Sequence, residues 1–256
     1  MPSAFICGLS GLELAPSERE FLRDARPCGI ILFARNCAVP DQVRRLVADA
    51  REALGGDALV LIDQEGGRVR RLRPPHWREL PAAASYAALY GRDPAAAGRA
   101  AHLAVGLRAA DLRDLGTNTN CAPVLDLPQP GSHAIIGDRA YGGDVERIIV
   151  LGRAVADGLS AGGVLPVIKH IPGHGRATKD SHHDLPVVDA DRAVLDATDF
   201  APFRALADLP AAMTAHVVYT AVDPSAPASA SATVIGDVVR GAIGFQGLLM
   251  CDDLSM

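Results

Sequence analysis

The sequence predicts an α/β protein of the (β/α)8 TIM-barrel class, and three observations predict it. Short, apolar, β-branched runs alternate with helical patterns along the chain, as in a parallel sheet whose outer face is covered by helices. Ionisable residues collect directly after those runs, at the carboxyl ends of the predicted strands, where an α/β barrel opens its active-site mouth. No Gly-x-Gly-x-x-Gly follows the first run, which argues against a dinucleotide-binding doubly wound sheet. With 256 residues, 49% of them hydrophobic, there is material for one sizeable core, and 1–256 is read as a single domain.

The first strand is expected over Ala4 to Leu9, followed by a polar-faced helix from Ser17 to Arg23 and a second strand from Gly29 to Phe33. Pro40 and Asp41 suit a helix start, and Val43, Leu46, Val47 and Ala50 share one face of a helix reaching Ala53. Ala58 to Ile62 is a wholly apolar third strand that runs into Asp63-Gln64-Glu65-Gly66-Gly67. Pro81 to Leu115 carries alanine and arginine at helical spacing, broken at Gly91-Arg92-Asp93-Pro94, and His102 within it reads as a packing or surface residue. A fourth strand is expected from Thr117 to Leu125 and a loop from Gln129 to Gly143. Asp144 to Ala161 is a helix, Val164 to Ile168 the fifth strand, and Asp189 to Ala207 a further helix. Ala211 to Val218 is the sixth strand, Asp223 to Thr233 a Pro-, Ser- and Ala-rich loop, Val234 to Gly241 a helix, and Gly247 to Cys251 the seventh strand. No eighth strand follows, so the barrel is expected to be truncated, with the edges of its first and seventh strands exposed.

The net charge of -5 provides no broad basic field, which argues against nucleic acid as a partner. The five cysteines have no paired metal-ligand spacing and read as reduced thiols. No leader pattern opens the chain and no run of eighteen apolar residues occurs, so a cytoplasmic protein with no membrane partner is expected.

Chemistry concentrates between 163 and 186, which holds four of the eight histidines. His170 and His174 have the spacing of a zinc-binding helix, but Pro172 and Gly173 between them would break it. In Asp180-Ser181-His182 a carboxylate two residues from an imidazole can hold one tautomer and raise its basicity. A solvated loop with chance histidines is the plainer alternative.

Read in order, Asp63-Gln64-Glu65-Gly66-Gly67-Arg68-Val69, Asn120-Cys121-Ala122-Pro123-Val124-Leu125-Asp126, Ile136-Gly137-Asp138-Arg139, Lys169-His170-Ile171-Pro172-Gly173-His174-Gly175, Met213-Thr214-Ala215-His216-Val217 and Asp252-Asp253-Leu254-Ser255-Met256 resemble the motifs of glycoside hydrolase family 3. Within it they are most similar to the bacterial β-N-acetylglucosaminidases of peptidoglycan recycling. Ile171 stands where Phe is common and Cys251 where Ser is common; neither change removes a reacting group.

The resemblance implies an exo-acting, retaining β-N-acetylhexosaminidase that needs no metal or cofactor. Asp252 would be the nucleophile and His182 the acid/base, oriented by Asp180, while His183 is incidental. Asp63, Arg71, Arg139, Lys169 and His170 would hold sugar hydroxyls. His174 and Asp126 are weaker candidates for fixing the loop, and His216 would either touch substrate or support the His182 loop. The implied substrate is a small carbohydrate, N-acetylglucosaminyl-anhydro-muropeptide. Four alternatives stay open: a family 3 β-glucosidase, a sugar-binding remnant without turnover, a zinc hydrolase built on His170, His174 and His182, and an Asp252-Asp253 pair that only caps a helix.

Overall fold

In the computed structural model, described over residues 1–179 and 184–254, the chain runs β1 (Ser3–Gly8), α1 (Pro16–Ala25), β2 (Pro27–Leu32), α2 (Pro40–Leu54) and β3 (Leu59–Ile62). It continues through α3 (Ala83–Tyr90), α4 (Pro94–Asp114), β4 (Thr119–Asn120), α5 (Val145–Ala161), β5 (Leu165–Ile171) and β6 (Val187–Val188). The last part holds α6 (Arg192–Ala197), α7 (Ala201–Ala205), β7 (Ala211–Thr214), β8 (Val218–Tyr219), α8 (Val234–Ala242, wound as a π-helix) and β9 (Leu248–Met250). The expected roles of Asp180 and His182 fall outside the described residues, as do Ser181, His183, Ser255 and Met256.

Seven strands form one parallel sheet in the order β1-β2-β3-β4-β5-β7-β9, so each crossover joins neighbours and the sheet curls in one direction. Its concave face carries Leu61, Cys121, Val167, Ala211 and Met213, packed with Ile6, Ile31, Leu165 and Met250. One inward side chain from nearly every strand thus fills the middle, the arrangement that closes a barrel interior. The convex face packs on the helices. Val43, Leu46, Val47 and Ala50 of α2 are all buried, the face read from their spacing, and Ile148, Leu151, Val155 and Leu159 do the same on α5. The result is seven-eighths of a TIM-type barrel: β1 and β9 are its edges, and among the described residues no strand bridges them. Among the same residues no helix is long and apolar enough to cross a membrane.

Several elements differ from the sequence expectation for local reasons. The fourth strand is regular only at Thr119 and Asn120, because Pro123 has no N–H for the ladder; the chain rejoins at a bridge between Val124 and Lys169. The helix expected over 189–207 is split, since Pro202 starts a new turn that makes α7 a separate piece. The sixth strand stops at Thr214, and Val218 and Tyr219 leave to pair with Val187 and Val188 in a separate two-stranded parallel ribbon. That ribbon went unseen because each of its strands is two residues long. The Gly91–Asp93 break is real: Asp93 caps α4 by accepting the Ala96 N–H at 2.9 Å.

Candidate active site

Asp63 and Glu65 leave β3 on the same side of the chain, as alternate residues of an extended segment do, and Gln64 points the other way. Buried Gln64 is clamped to buried Asn120 by two hydrogen bonds: its N–H donates to Asn120 Oδ1 at 3.0 Å, and Asn120 Nδ2 donates back to its carbonyl at 3.1 Å. Its own amide then accepts from the N–H groups of Arg71 and Leu72 at 2.8 and 3.0 Å. Two neutral amides therefore fix the turn that aims both carboxylates and Arg71 at the barrel mouth.

Lys169, next to the carboxyl end of β5, is 2% exposed, and a buried ammonium is tolerable only when paired. Its Nζ lies 2.7 Å from Asp63 Oδ1 and 2.8 Å from Glu65 Oε1. Arg71 reaches Asp63 at 3.0 Å, and Arg139 grips Glu65 with two parallel bonds of 2.9 and 2.8 Å. Burial alone would raise both carboxyls, but Lys169 with Arg71 on Asp63, and Lys169 with Arg139 on Glu65, hold them well below the usual range. Burial would likewise lower the Lys169 ammonium, yet Asp63 and Glu65 push it above its ordinary value. At neutral pH the five groups form one fully charged lattice.

Asp126, wholly buried, organises the other half of the mouth. It accepts the main-chain N–H groups of His170 and His174 at 3.2 and 2.7 Å, and its second oxygen lies 2.6 Å from His170 Nδ1. A carboxylate that stays ionised only accepts, so a His170 proton sits on Nδ1 and Nε2 is the ring nitrogen turned to the mouth. Against the pull of burial, His170 and His174 keep Asp126 below the usual carboxylate range. His170 Nε2 lies 4.0 Å from Asp252 Oδ2, which projects just past β9. His174 packs edge-on against the His170 ring, and burial pushes its imidazole down to about 4, so it is neutral at pH 7.

Asp63, Arg71, Arg139, Lys169, His170, His174 and Asp252 all line one cavity of about 930 Å³, which extends from the mouth into the gap between β1 and β9. Of the sequence candidates among the described residues, two are not in its lining: Asp126, buried behind His170 and His174, and His216. That histidine faces the main chain of Asp253 instead, with Nε2 3.0 Å from its carbonyl oxygen. His170 and His174 do not share a helix turn, since β5 runs through 165–171, and among the described residues no cluster of three or more His, Cys, Asp or Glu could hold a metal ion. Sequence reading missed Glu65 as a site residue. Its position two after Asp63, on the same face of an extended segment, is the signal that could have found it.

The Glycosyl hydrolase family 3 N terminal domain matches residues 7–256, and the chain belongs to that family of glycoside hydrolases. Among curated relatives, a β-hexosaminidase of Alkalilimnicola ehrlichii is 44% identical over 252 residues, covering 97% of this chain and 71% of its own. Among solved structures, NagZ from Neisseria gonorrhoeae in complex with N-trifluoroacetyl-D-glucosamine superposes with a TM-score of 0.94 at 34% identity, over 100% of this chain and 75% of that one. The family 3 β-N-acetylglucosaminidase of a Paenibacillus species gives 0.91 at 37% identity, over 98% of this chain and 48%, about half, of that one.

Proposed function

We propose that the protein is an exo-acting, retaining β-N-acetylhexosaminidase that removes non-reducing terminal N-acetyl-β-D-glucosamine from peptidoglycan-derived muropeptides in the cytoplasm. The observation that carries the reading is the cavity whose lining Asp252 shares with Asp63, Arg71, Arg139, Lys169 and His170, the Asp252 carboxylate standing 4.0 Å from His170 Nε2 while Glu65 is paired with Lys169 and Arg139. Such a lattice suits a sugar, because several rigid, charged hydrogen-bond partners can each take one hydroxyl. The preference for N-acetylglucosamine rests on the names of the relatives and on motif resemblance, and that for muropeptides on motif resemblance alone.

In the first step the Asp252 carboxylate attacks the anomeric carbon while the bond to the leaving oxygen breaks, and that oxygen takes a proton from His182. In the second, water attacks the same carbon, His182 takes its proton, and the ester bond to Asp252 breaks, giving net retention. His182 and its orienting partner Asp180 receive these roles from the sequence motif. Lys169, Arg71, Arg139 and His170 would hold the sugar so that the anomeric carbon sits over Asp252.

Chromogenic aryl glycosides test the assignment. Aryl N-acetyl-β-glucosaminide should be cleaved faster than aryl β-glucoside, with activity abolished in Asp252→Ala and strongly weakened in His182→Ala. Full activity in Asp252→Ala refutes the reading, and faster turnover of the glucoside moves the protein to the β-glucosidases.

A further inference from the structure

The sequence singled out His216, yet it lies outside the cavity, and the loop that holds it was legible only as a connector. Its Nε2 is 3.0 Å from the Asp253 carbonyl and its Nδ1 is 2.6 Å from the Ser229 hydroxyl. A carbonyl oxygen can only accept, so the ring proton is on Nε2 and Nδ1 accepts from Ser229. The N–H of Asp253 in turn donates to Asp252 Oδ1 at 2.9 Å. One residue therefore joins two bonds: its carbonyl is pinned by His216, and its amide pins the carboxylate of Asp252.

The 223–233 loop is built as the anchor for this arrangement. Asp223 accepts from Ser225, through both N–H and hydroxyl, and from the hydroxyl of Ser231. Ser231 Oγ accepts the Val234 N–H at 3.0 Å at the start of α8, and the Ala228 N–H donates to the Val217 carbonyl at 2.8 Å. Ser229 is thus held between two fastened points, one residue from Ala228 and two from Ser231. Hydrogen bonds of this kind lock a rotamer that packing alone would leave free, and a half-buried carboxylate at the edge of an open mouth needs such a lock.

We infer that Ser229 and His216 are positioning residues for Asp252: they fix the Asp253 main chain and, through it, the direction of the carboxylate. The kinetic consequence rests on the glycosidase reading above; the structural one does not. His216→Ala in the full chain lowers kcat for an aryl N-acetylglucosaminide about 10- to 100-fold, the cost of a misaimed reacting group, while KM changes less than about threefold. His216→Gln restores most of kcat, because its amide N–H can reach the same carbonyl, and Ser229→Ala gives a smaller loss.

A rise in KM with unchanged kcat in His216→Ala would make His216 a substrate contact and overturn the inference. A folded His216→Gln no better than His216→Ala would overturn it as well. Amide hydrogen exchange at Asp253 provides a readout that needs no turnover. It is faster in His216→Ala and slow again in His216→Gln; exchange equal to the unsubstituted protein overturns the inference. Should the unsubstituted chain cleave no glycoside, the glycosidase reading fails, and the exchange result alone decides the positioning role.

Discussion

Replacing Lys169 by Met keeps the side-chain volume and removes the ammonium from between Asp63 and Glu65. Both carboxylates would remain in the barrel mouth, Asp63 with Arg71 at 3.0 Å and Glu65 with Arg139 at 2.9 and 2.8 Å. Breaking a buried pair by deleting one partner costs about 3–5 kcal/mol, and the two surviving arginines place this case at about 3, a large share of a typical domain's stability. The pH dependence has a definite sign. Lys169 is the first of the cations that depress both carboxyls, and a depressed carboxyl contributes stability above its unfolded pKa of about 4 that is lost as pH falls. The raised Lys169 pKa means that its own contribution is fully present at pH 7. Urea unfolding followed by circular dichroism should therefore show the full deficit from pH 7 down to about 4, narrowing only as pH falls below that value. A loss under about 1 kcal/mol at pH 7, at the level of an exposed pair, would refute the view of a desolvated lattice.

Glu65→Gln removes the charge that aligns Arg139 and Lys169, so KM for the aryl N-acetylglucosaminide should rise about tenfold or more, as expected for one charge-assisted hydrogen bond, with kcat affected less. An unchanged KM would separate Glu65 from substrate binding. Burial holds His174 down to about 4, so between the unfolded value of 6.5 and that point only the unfolded chain binds the proton, and stability falls by roughly 3 kcal/mol as pH drops through the window. His174→Gln should flatten that part of the stability curve; parallel curves would contradict the buried neutral ring. A Cβ at Gly175 would meet the Leu127 carbonyl oxygen at 2.0 Å, so Gly175→Ala should be strongly destabilised or fail to fold. A melting temperature equal to that of the unsubstituted protein would show that the 127–175 contact can give way.

The barrel was legible in the sequence because parallel strands buried on both faces read as continuous apolar runs, of which Ala58 to Ile62 and Val164 to Ile168 are the clearest. The helix faces were legible for the same reason, since only spacing decides which side of α2 is apolar. What escaped were elements set by partners distant in sequence. Val187 and Val188 become a strand only because Val218 and Tyr219 come alongside, and two residues carry no periodicity. Within the site, the motifs brought together Asp63, Arg71, Arg139, Lys169, His170 and Asp252, all of which line one cavity. They could not reveal that Asp126 sets the His170 tautomer, that Gln64 and Asn120 clamp the turn between them, or that His216 faces a main-chain carbonyl. Each of those depends on which atoms meet across a chain reversal, and linear spacing does not contain that information.

The central claim is that Asp252 forms the covalent bond to the sugar. A 5-fluoro N-acetylglucosaminyl fluoride, which forms the glycosyl-enzyme faster than water can release it, should inactivate the protein with one sugar per chain, and peptide mass spectrometry should place that sugar on Asp252. A label on Asp63 or Glu65, or steady turnover with no labelled Asp252 peptide, would contradict it.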